Sequence, residues 1–259
     1  MITYFQAIII AIVEGITEYL PVSSTGHMII TEWLLKLKQG DFLKLYTVAI
    51  QLGAIMAVLV LYYKKFFQSF DFYIKLFIAF IPSAVIGFLF NDTIDELLES
   101  PLTVAIALLL GGIVLLFTDK WFENNTKEDQ EITNFQALKI GFFQILALIP
   151  GVSRSGATIF GGLHQTLSRK QAAEFSFFLA VPTMLAATGY KLLKYYKEFG
   201  IQAEEIKFLA VGNTVAFIVA LIAIKTFIGL LNRYGFKPFG WYRILLGVII
   251  LISLLWFNN

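Results

Sequence analysis

The chain contains no cysteine. That removes disulfides, thiolate zinc sites and thiol nucleophiles from consideration. Histidine is nearly as scarce, with two in 259 residues. Charge is thin as well: Asp, Glu, Lys and Arg make up 15% of the chain, against about 25% in soluble domains. The formal net charge is +2 and no basic stripe is present, so nucleic acid is not an expected partner. The N-terminal apolar run, Tyr4 to Val13, has no basic residue before it and no small-residue cleavage site after it. It does not read as an ordinary signal peptide.

Apolar residues fill the chain instead. They make up 58% of it, with 16% aromatic, 26 Phe and a mean hydropathy of +0.76. Soluble domains sit near about 45–50% apolar. The composition predicts a polytopic membrane protein. A spanning helix needs about 20 mostly apolar residues. Segments 45–63, 73–90, 101–118, 171–190, 206–231 and 241–257 qualify. Two other apolar stretches are too short or too interrupted: residues 4–13 run only as far as Glu14, and 135–149 contain Lys139 and stop at Pro150. Stretches of that length are more often re-entrant or interfacial. Each leads into a Pro-Ser-Gly loop and a second short helix, over 25–38 and 155–167.

Those two loops resemble each other. The first reads Leu20-Pro21-Val22-Ser23-Ser24-Thr25-Gly26-His27 and the second Ile149-Pro150-Gly151-Val152-Ser153-Arg154-Ser155-Gly156-Ala157. Val22 and Val152 are 130 apart (152 − 22 = 130). Phe77-Ile78-Ala79 returns as Phe208-Leu209-Ala210 and Leu109-Leu110-Gly111 as Leu245-Leu246-Gly247, at offsets of 131 and 136. The expected fold class is therefore all-α: six spanning helices, two re-entrant helix-loop-helix hairpins and an internal repeat. Residues 1–259 form one membrane domain, with halves of roughly 1–118 and 135–257 joined by a polar linker, 119–134. Three spans per half reverse the chain's direction, so the halves lie inverted. The loop tips then meet near mid-bilayer, where irregular backbone is tolerated only inside protein or along a wet cavity.

The connections carry the charge. Asp92, Asp95, Glu96 and Glu99 lie in one, and Asp119, Lys120, Glu123, Lys127, Glu128, Asp129 and Glu131 in the linker. Lys191, Lys194 and Lys197, with Tyr195 and Tyr196, read as an interfacial belt. Loops 64–75, 119–139, 169–170 and 225–243 hold 12 Lys and Arg, and loops 36–44 and 191–207 hold 7. The positive-inside rule makes the first side cytoplasmic.

Charge inside the apolar segments is the functional signal, because ionisable groups at membrane depth are costly. Glu14 and Glu18 share one helix face, one turn apart. Both suit proton handling, or a hard divalent cation such as magnesium or calcium. The Ser23-Ser24-Thr25-Gly26 turn opens a helix whose free N–H groups and dipole favour phosphate. His27 can take or give a proton near neutral pH. Arg154, between Ser153 and Ser155 and beside Gly156, offers a fork for phosphate. In an empty site it would pair with Glu14 or Glu18. Thr158, four residues on, adds a hydroxyl. His164 lacks such company and reads as structural or solvated. Together the groups form a kit for phosphoryl transfer, which is mostly positioning and charge stabilisation. A lipid-phosphate transporter is the rival reading, and a structural scaffold explains none of the buried charge.

The stretch from Glu14 to His27 closely resembles the first signature of bacterial undecaprenyl-diphosphate phosphatases of the bacitracin-resistance type. Pro150 to Thr158 resembles the second, and the likeness runs from Met1 to about Phe257. The resemblance implies removal of the terminal phosphate from undecaprenyl diphosphate, renewing the lipid carrier for cell-wall synthesis, and reduced sensitivity to bacitracin. It implies a multi-pass enzyme of the bacterial plasma membrane. Its partners would be a polyprenyl diphosphate and membrane lipids; a homodimer is compatible with it. Glu14, Glu18, Ser23, Ser24, His27, Ser153, Arg154 and Thr158 match the family's functional positions. The expected roles are Ser24 as nucleophile or water-orienting group, with His27 and Glu18 managing protons. Glu14 supports a metal, with Glu18 as its second carboxylate. Arg154 holds the departing phosphate, with Ser23, Thr25, Gly26, Ser153, Ser155, Gly156 and Thr158 around it.

Overall fold

A computed structural model describes residues 2–66, 69–98, 100–128 and 130–257. Glu99 and Asp129, two of the connection acids named above, lie outside the described residues. Every regular element among these residues is helical. In chain order they are α1 (Tyr4–Thr17), α2 (Ser24–Leu34), α3 (Asp41–Ala49), α4 (Gln51–Leu61), α5 (Tyr63–Phe66), α6 (Phe70–Leu89), α7 (Asn91–Leu98), α8 (Pro101–Trp121), α9 (Asn134–Ile145), α10 (Arg154–His164), α11 (Arg169–Phe199), α12 (Ala203–Tyr234) and α13 (Lys237–Phe257). A 3-10 turn, Leu146–Leu148, follows α9.

Among the described residues six helices are long and apolar enough to cross a membrane: Asp41–Leu61, Phe70–Leu89, Pro101–Trp121, Arg169–Phe199, Ala203–Tyr234 and Lys237–Leu255. They fall on the six segments expected from hydropathy. The first joins α3 and α4 across Ile50. By contrast, α1 has 14 residues and α9 has 12. At about 1.5 Å per residue these reach about 21 and 18 Å, short of the roughly 30 Å hydrocarbon core. The polar linker opens while still helical, since α8 continues to Trp121.

The short helices are held between long ones. Helix α1 packs mainly on α12, and α9 mainly on α6. Glycine sets both distances. A Cβ on Gly15 would lie 2.8 Å from the Ala216 carbonyl oxygen, and one on Gly141 would lie 2.4 Å from that of Ala79. Without a hydrophobic drive between helices in lipid, such close backbone approach is what holds a bundle together. The long pair α8 and α13 packs side by side. The start of α11 is the centre of the molecule: every residue from Ala172 to Val181 is buried. A helix buried on all sides belongs in the interior. Outward faces carry large exposed apolar chains such as Phe77, Phe88, Leu110, Ile222 and Leu245, as a lipid-facing surface requires.

Candidate active site

The two hairpins, α1–α2 and α9–α10, are built by the same local devices. Each first helix starts with a Thr-x-x-Gln capping box, Thr3 with Gln6 and Thr133 with Gln136. Each of those glutamines reaches the second helix's end: Gln6 Nε2 donates to the Leu35 carbonyl and Gln136 Nε2 to that of Gln165. Each second helix is capped by a serine with positive φ, Ser23 at 69° and Ser153 at 75°. Their Oγ atoms accept from the N–H of Gly26 and Gly156. Each hairpin leaves through another positive-φ residue, Lys36 or Thr166. All six of these pairs are 130 apart (153 − 23 = 130). A non-glycine residue at positive φ is uncommon and costs energy. Four of them in two matched pairs mark both loops as over-determined by their surroundings.

The loops meet. Ser155 Oγ donates to the Leu20 carbonyl at 2.8 Å and lies 3.1 Å from Ser153 Oγ. Arg154, the first residue of α10, donates from Nη2 to Glu18 Oε1 at 2.9 Å. The other oxygen, Glu18 Oε2, accepts from Ser24 Oγ at 2.9 Å. Arg154 Nη1 donates to the Ser176 carbonyl at 2.9 Å and to its Oγ at 3.3 Å. Ser176 Oγ is 2.6 Å from Thr158 Oγ1. A continuous polar chain therefore runs Ser24, Glu18, Arg154, Ser176, Thr158. Groups 136 residues apart in sequence come together as the composite site the two motifs implied.

Several acceptors and donors in this chain are still open. Glu14 is 1% exposed, and neither of its carboxylate oxygens has a hydrogen-bond partner. Arg154 Nε is likewise buried without one. Among the described residues, the N–H groups of Ser24 and Thr25 at the start of α2 find no hydrogen-bond acceptor, nor do those of Arg154 and Ser155 at the start of α10. Those of Gly26 and Gly156 are already spent on the serine caps. Thr25 is half-buried beside them.

His27 stands apart from that chain. Its Nδ1 lies 2.7 Å from the Ser23 carbonyl oxygen and its Nε2 lies 2.7 Å from Tyr242 Oη. Neither nitrogen bonds Glu18, Ser24 or Arg154. His164 is exposed at the end of α10, beside Phe143 and hydrogen-bonded to Gln165.

Arg243 was missed as a site component. It is 1% exposed. From α13 it donates to five carbonyls: Nε to Leu108, Nη1 to Pro21 and Val152, Nη2 to Ala107 and Gly151. Two of these bonds therefore join the first loop to the second through one nitrogen. The count of 12 basic residues on one face included Arg243 as a loop charge. It is not one, because its guanidinium is consumed inside the protein, and the count becomes 12 − 1 = 11. The signal was available: an arginine embedded in an apolar span is a functional candidate by default. Nothing in the sequence marks Ser176 or Tyr242.

A divalent cation has two carboxylates on offer, Glu14 and Glu18. No group of three or more His, Cys, Asp or Glu side chains able to hold a metal occurs among the described residues. Magnesium commonly binds through one or two carboxylates, with substrate phosphates and water completing its shell. The unpartnered oxygens of Glu14 fit that role, and fit calcium, which wants more protein oxygens, less well.

The model of the family described as bacitracin resistance protein BacA matches residues 7–249. Curated relatives match over nearly the whole length. A protein from Flavobacterium psychrophilum named undecaprenyl-diphosphatase is 60% identical over 96% of this chain and 95% of its own. Proteins of the same name from Bdellovibrio bacteriovorus and Aquifex aeolicus are 54% and 46% identical. They cover 97% and 95% of this chain, and 96% and 97% of their own.

Proposed function

The chain belongs to the bacitracin resistance protein BacA family, and from that membership and the site's geometry we infer both its reaction and how its residues carry it. It is an undecaprenyl-diphosphatase, a membrane hydrolase that converts undecaprenyl diphosphate to undecaprenyl phosphate and inorganic phosphate. The reaction returns the lipid carrier to envelope synthesis and lowers sensitivity to bacitracin. The observation that carries the mechanism is the Glu18 carboxylate, which holds the Ser24 hydroxyl on one oxygen and the Arg154 guanidinium on the other, both at 2.9 Å.

That bridge makes substrate binding and base release one event. In the resting state Arg154 neutralises Glu18. An arriving terminal phosphate competes for the guanidinium, which binds phosphate as a planar fork. The unpartnered Arg154 Nε supplies one donor at once. The open N–H groups of Ser24, Thr25, Arg154 and Ser155 supply others at two helix N-termini. Glu18, relieved of its cation, accepts the Ser24 proton. Ser24 Oγ then bonds to phosphorus as the bridging P–O bond breaks, and undecaprenyl phosphate leaves with the electron pair. Water hydrolyses the phosphoserine, with His27 and Glu18 handling its protons. Ser153 and Ser155 hold the loop junction, and Thr158 holds Ser176 against Arg154. Glu14, with Glu18, would hold a magnesium ion, which supplies charge neutralisation for the diphosphate.

The site lies on α1, α2, α10 and α11, amid six apolar helices long enough to span. We place the protein in the bacterial plasma membrane, with the two hairpins re-entrant and the halves inverted. The substrate's prenyl chain lies in lipid and its diphosphate enters between the hairpins. Purified protein in micelles should release phosphate from a long-chain prenyl diphosphate. A His27→Ala variant, slowed after the first step, should accumulate label on Ser24. Label that never reaches Ser24 points to direct attack by water, with Ser24 orienting it.

A further inference from the structure

Tyr242 lies one residue before the arginine that ties the loops. Its hydroxyl is 2.7 Å from His27 Nε2 and makes no other hydrogen bond. The opposite nitrogen, Nδ1, is 2.7 Å from the Ser23 carbonyl oxygen. A carbonyl can only accept, so Nδ1 carries a proton, and the ring in its neutral form presents its lone pair at Nε2. Tyr242 Oη therefore donates to Nε2. The two rings are within 9° of parallel, with centroids 5.5 Å apart.

Both grips on the imidazole are fastened to the same anchor. Arg243 holds the Pro21 carbonyl, two residues before Ser23, and directly follows Tyr242 in α13. The geometry at His27 is thus set by one buried guanidinium through two short paths. Tyr242 is 44% exposed, so its phenol has room to withdraw when a phosphate oxygen needs Nε2.

We propose that Tyr242 is the positioning residue of His27, holding the imidazole in the Nδ1–H form with its basic nitrogen aimed at a single donor. The proposal rests on the reading of His27 as a proton-handling group of the hydrolase. Tyr242 makes no bond to Glu18, Ser24 or Arg154, so it acts through His27. A phenylalanine keeps the ring contact and deletes only the hydroxyl, which separates positioning from packing.

The test uses the full chain in lipid nanodiscs with 15N-labelled histidine rings. A His164→Gln background leaves one imidazole to observe. That background should show Nδ1 protonated and Nε2 hydrogen-bonded. Tyr242→Phe should move the Nε2 resonance toward that of a free acceptor and leave Nδ1 in place. Its kcat for phosphate release should fall about threefold to tenfold, the worth of one neutral hydrogen bond, while KM stays within about twofold. A proton on Nε2 instead of Nδ1, an Nε2 resonance unmoved by the substitution, or an unchanged kcat overturns the proposal. The spectrum with Tyr242 in place decides even if Tyr242→Phe does not fold. Absence of phosphate release from every form would instead refute the hydrolase mechanism, and the resonances would still judge Tyr242.

Discussion

Removing the Arg243 side chain tests the largest claim made for the site's construction. The carbonyls of Pro21, Gly151 and Val152 lie in loops and, among the described residues, accept only from this guanidinium. Those of Ala107 and Leu108 lie in mid-α8 and keep their helical N–H partners. Arg243→Ala therefore orphans three acceptors, the buried Pro21 and Gly151 carbonyls and the part-buried one of Val152. At about 1–3 kcal/mol each, the cost is about 3–9 kcal/mol before any cavity is counted. That is a large share of a typical folding free energy of about 5–15 kcal/mol. Arg243→Lys puts three donors on one nitrogen in place of a fork, so it cannot reach acceptors on both loops and on α8 together. Its loss should be intermediate. Gly111 supplies an internal control: a Cβ there would sit 2.2 Å from Arg243 Nη2. Gly111→Ala should displace the guanidinium and mimic its loss. In the Arg243→Ala background the same change should cost nothing more, because the clash is gone. The assay is unfolding in mixed micelles followed by circular dichroism, beside phosphate release. An Arg243→Ala protein that unfolds with the unsubstituted chain and turns over normally refutes the reasoning. So does full additivity with Gly111→Ala.

Three further outcomes are expected. Arg154→Ala should lower kcat/KM for phosphate release by about 100- to 1,000-fold, the usual cost of one preorganised donor at developing charge, and should also destabilise the fold by about 3–5 kcal/mol because Glu18 is left as an unpaired buried carboxylate; near-normal turnover would remove Arg154 from the site. A chelator should abolish release, and magnesium should restore it in the unsubstituted chain but not in Glu14→Gln, as read by phosphate assay and by magnesium binding to the purified protein; activity unaffected by chelation would dismiss the cation. Gly151→Ala should destabilise the fold by at least about 1–3 kcal/mol, since φ there is +93° and a Cβ would meet the Val104 carbonyl oxygen at 2.6 Å; an unchanged unfolding midpoint would show that the second loop is not locked.

Most of the fold was readable because lipid leaves few choices. Backbone polar groups must pair within a helix, so hydropathy and length locate the six spans, although the one expected at 171–190 runs on to Phe199. Ranges shifted where polar residues join the helix ahead of the apolar run: α3 opens at Asp41 and α6 opens at Phe70 behind the Ser69 cap, before the runs expected at 45 and 73. The hairpins were readable because proline, serine and glycine recur at one spacing. Glu18 and Arg154 stood out as charges where charge is expensive. Their pairing depends on the contact between the two loops, which the sequence alone leaves open. Arg243 escaped notice because it lies near the start of its span and passed as an interfacial cation. The partners Ser176 and Tyr242 are ordinary residues inside apolar helices. Their roles come from which helix neighbours which, and no local pattern carries that.

The paired hairpins also show what the function demands beyond what the fold needs. Position 144 in α9 matches position 14 in α1 by the same spacing (144 − 14 = 130). There Gln144 is buried and satisfied: its Nε2 donates to Ser83 Oγ and its Oε1 accepts from Thr183 Oγ1 at 3.3 Å. At the matching place α1 keeps Glu14, equally buried, with both oxygens unpartnered. A neutral amide answers the packing problem of such a site far more cheaply than a carboxylate. Ser24 against Arg154 and His27 against Ala157 repeat the contrast on the same loop geometry. One backbone plan thus carries the histidine and the carboxylates in one copy and the arginine in the other. Phosphoryl transfer needs those two sets face to face, and stability alone gives no reason to keep Glu14.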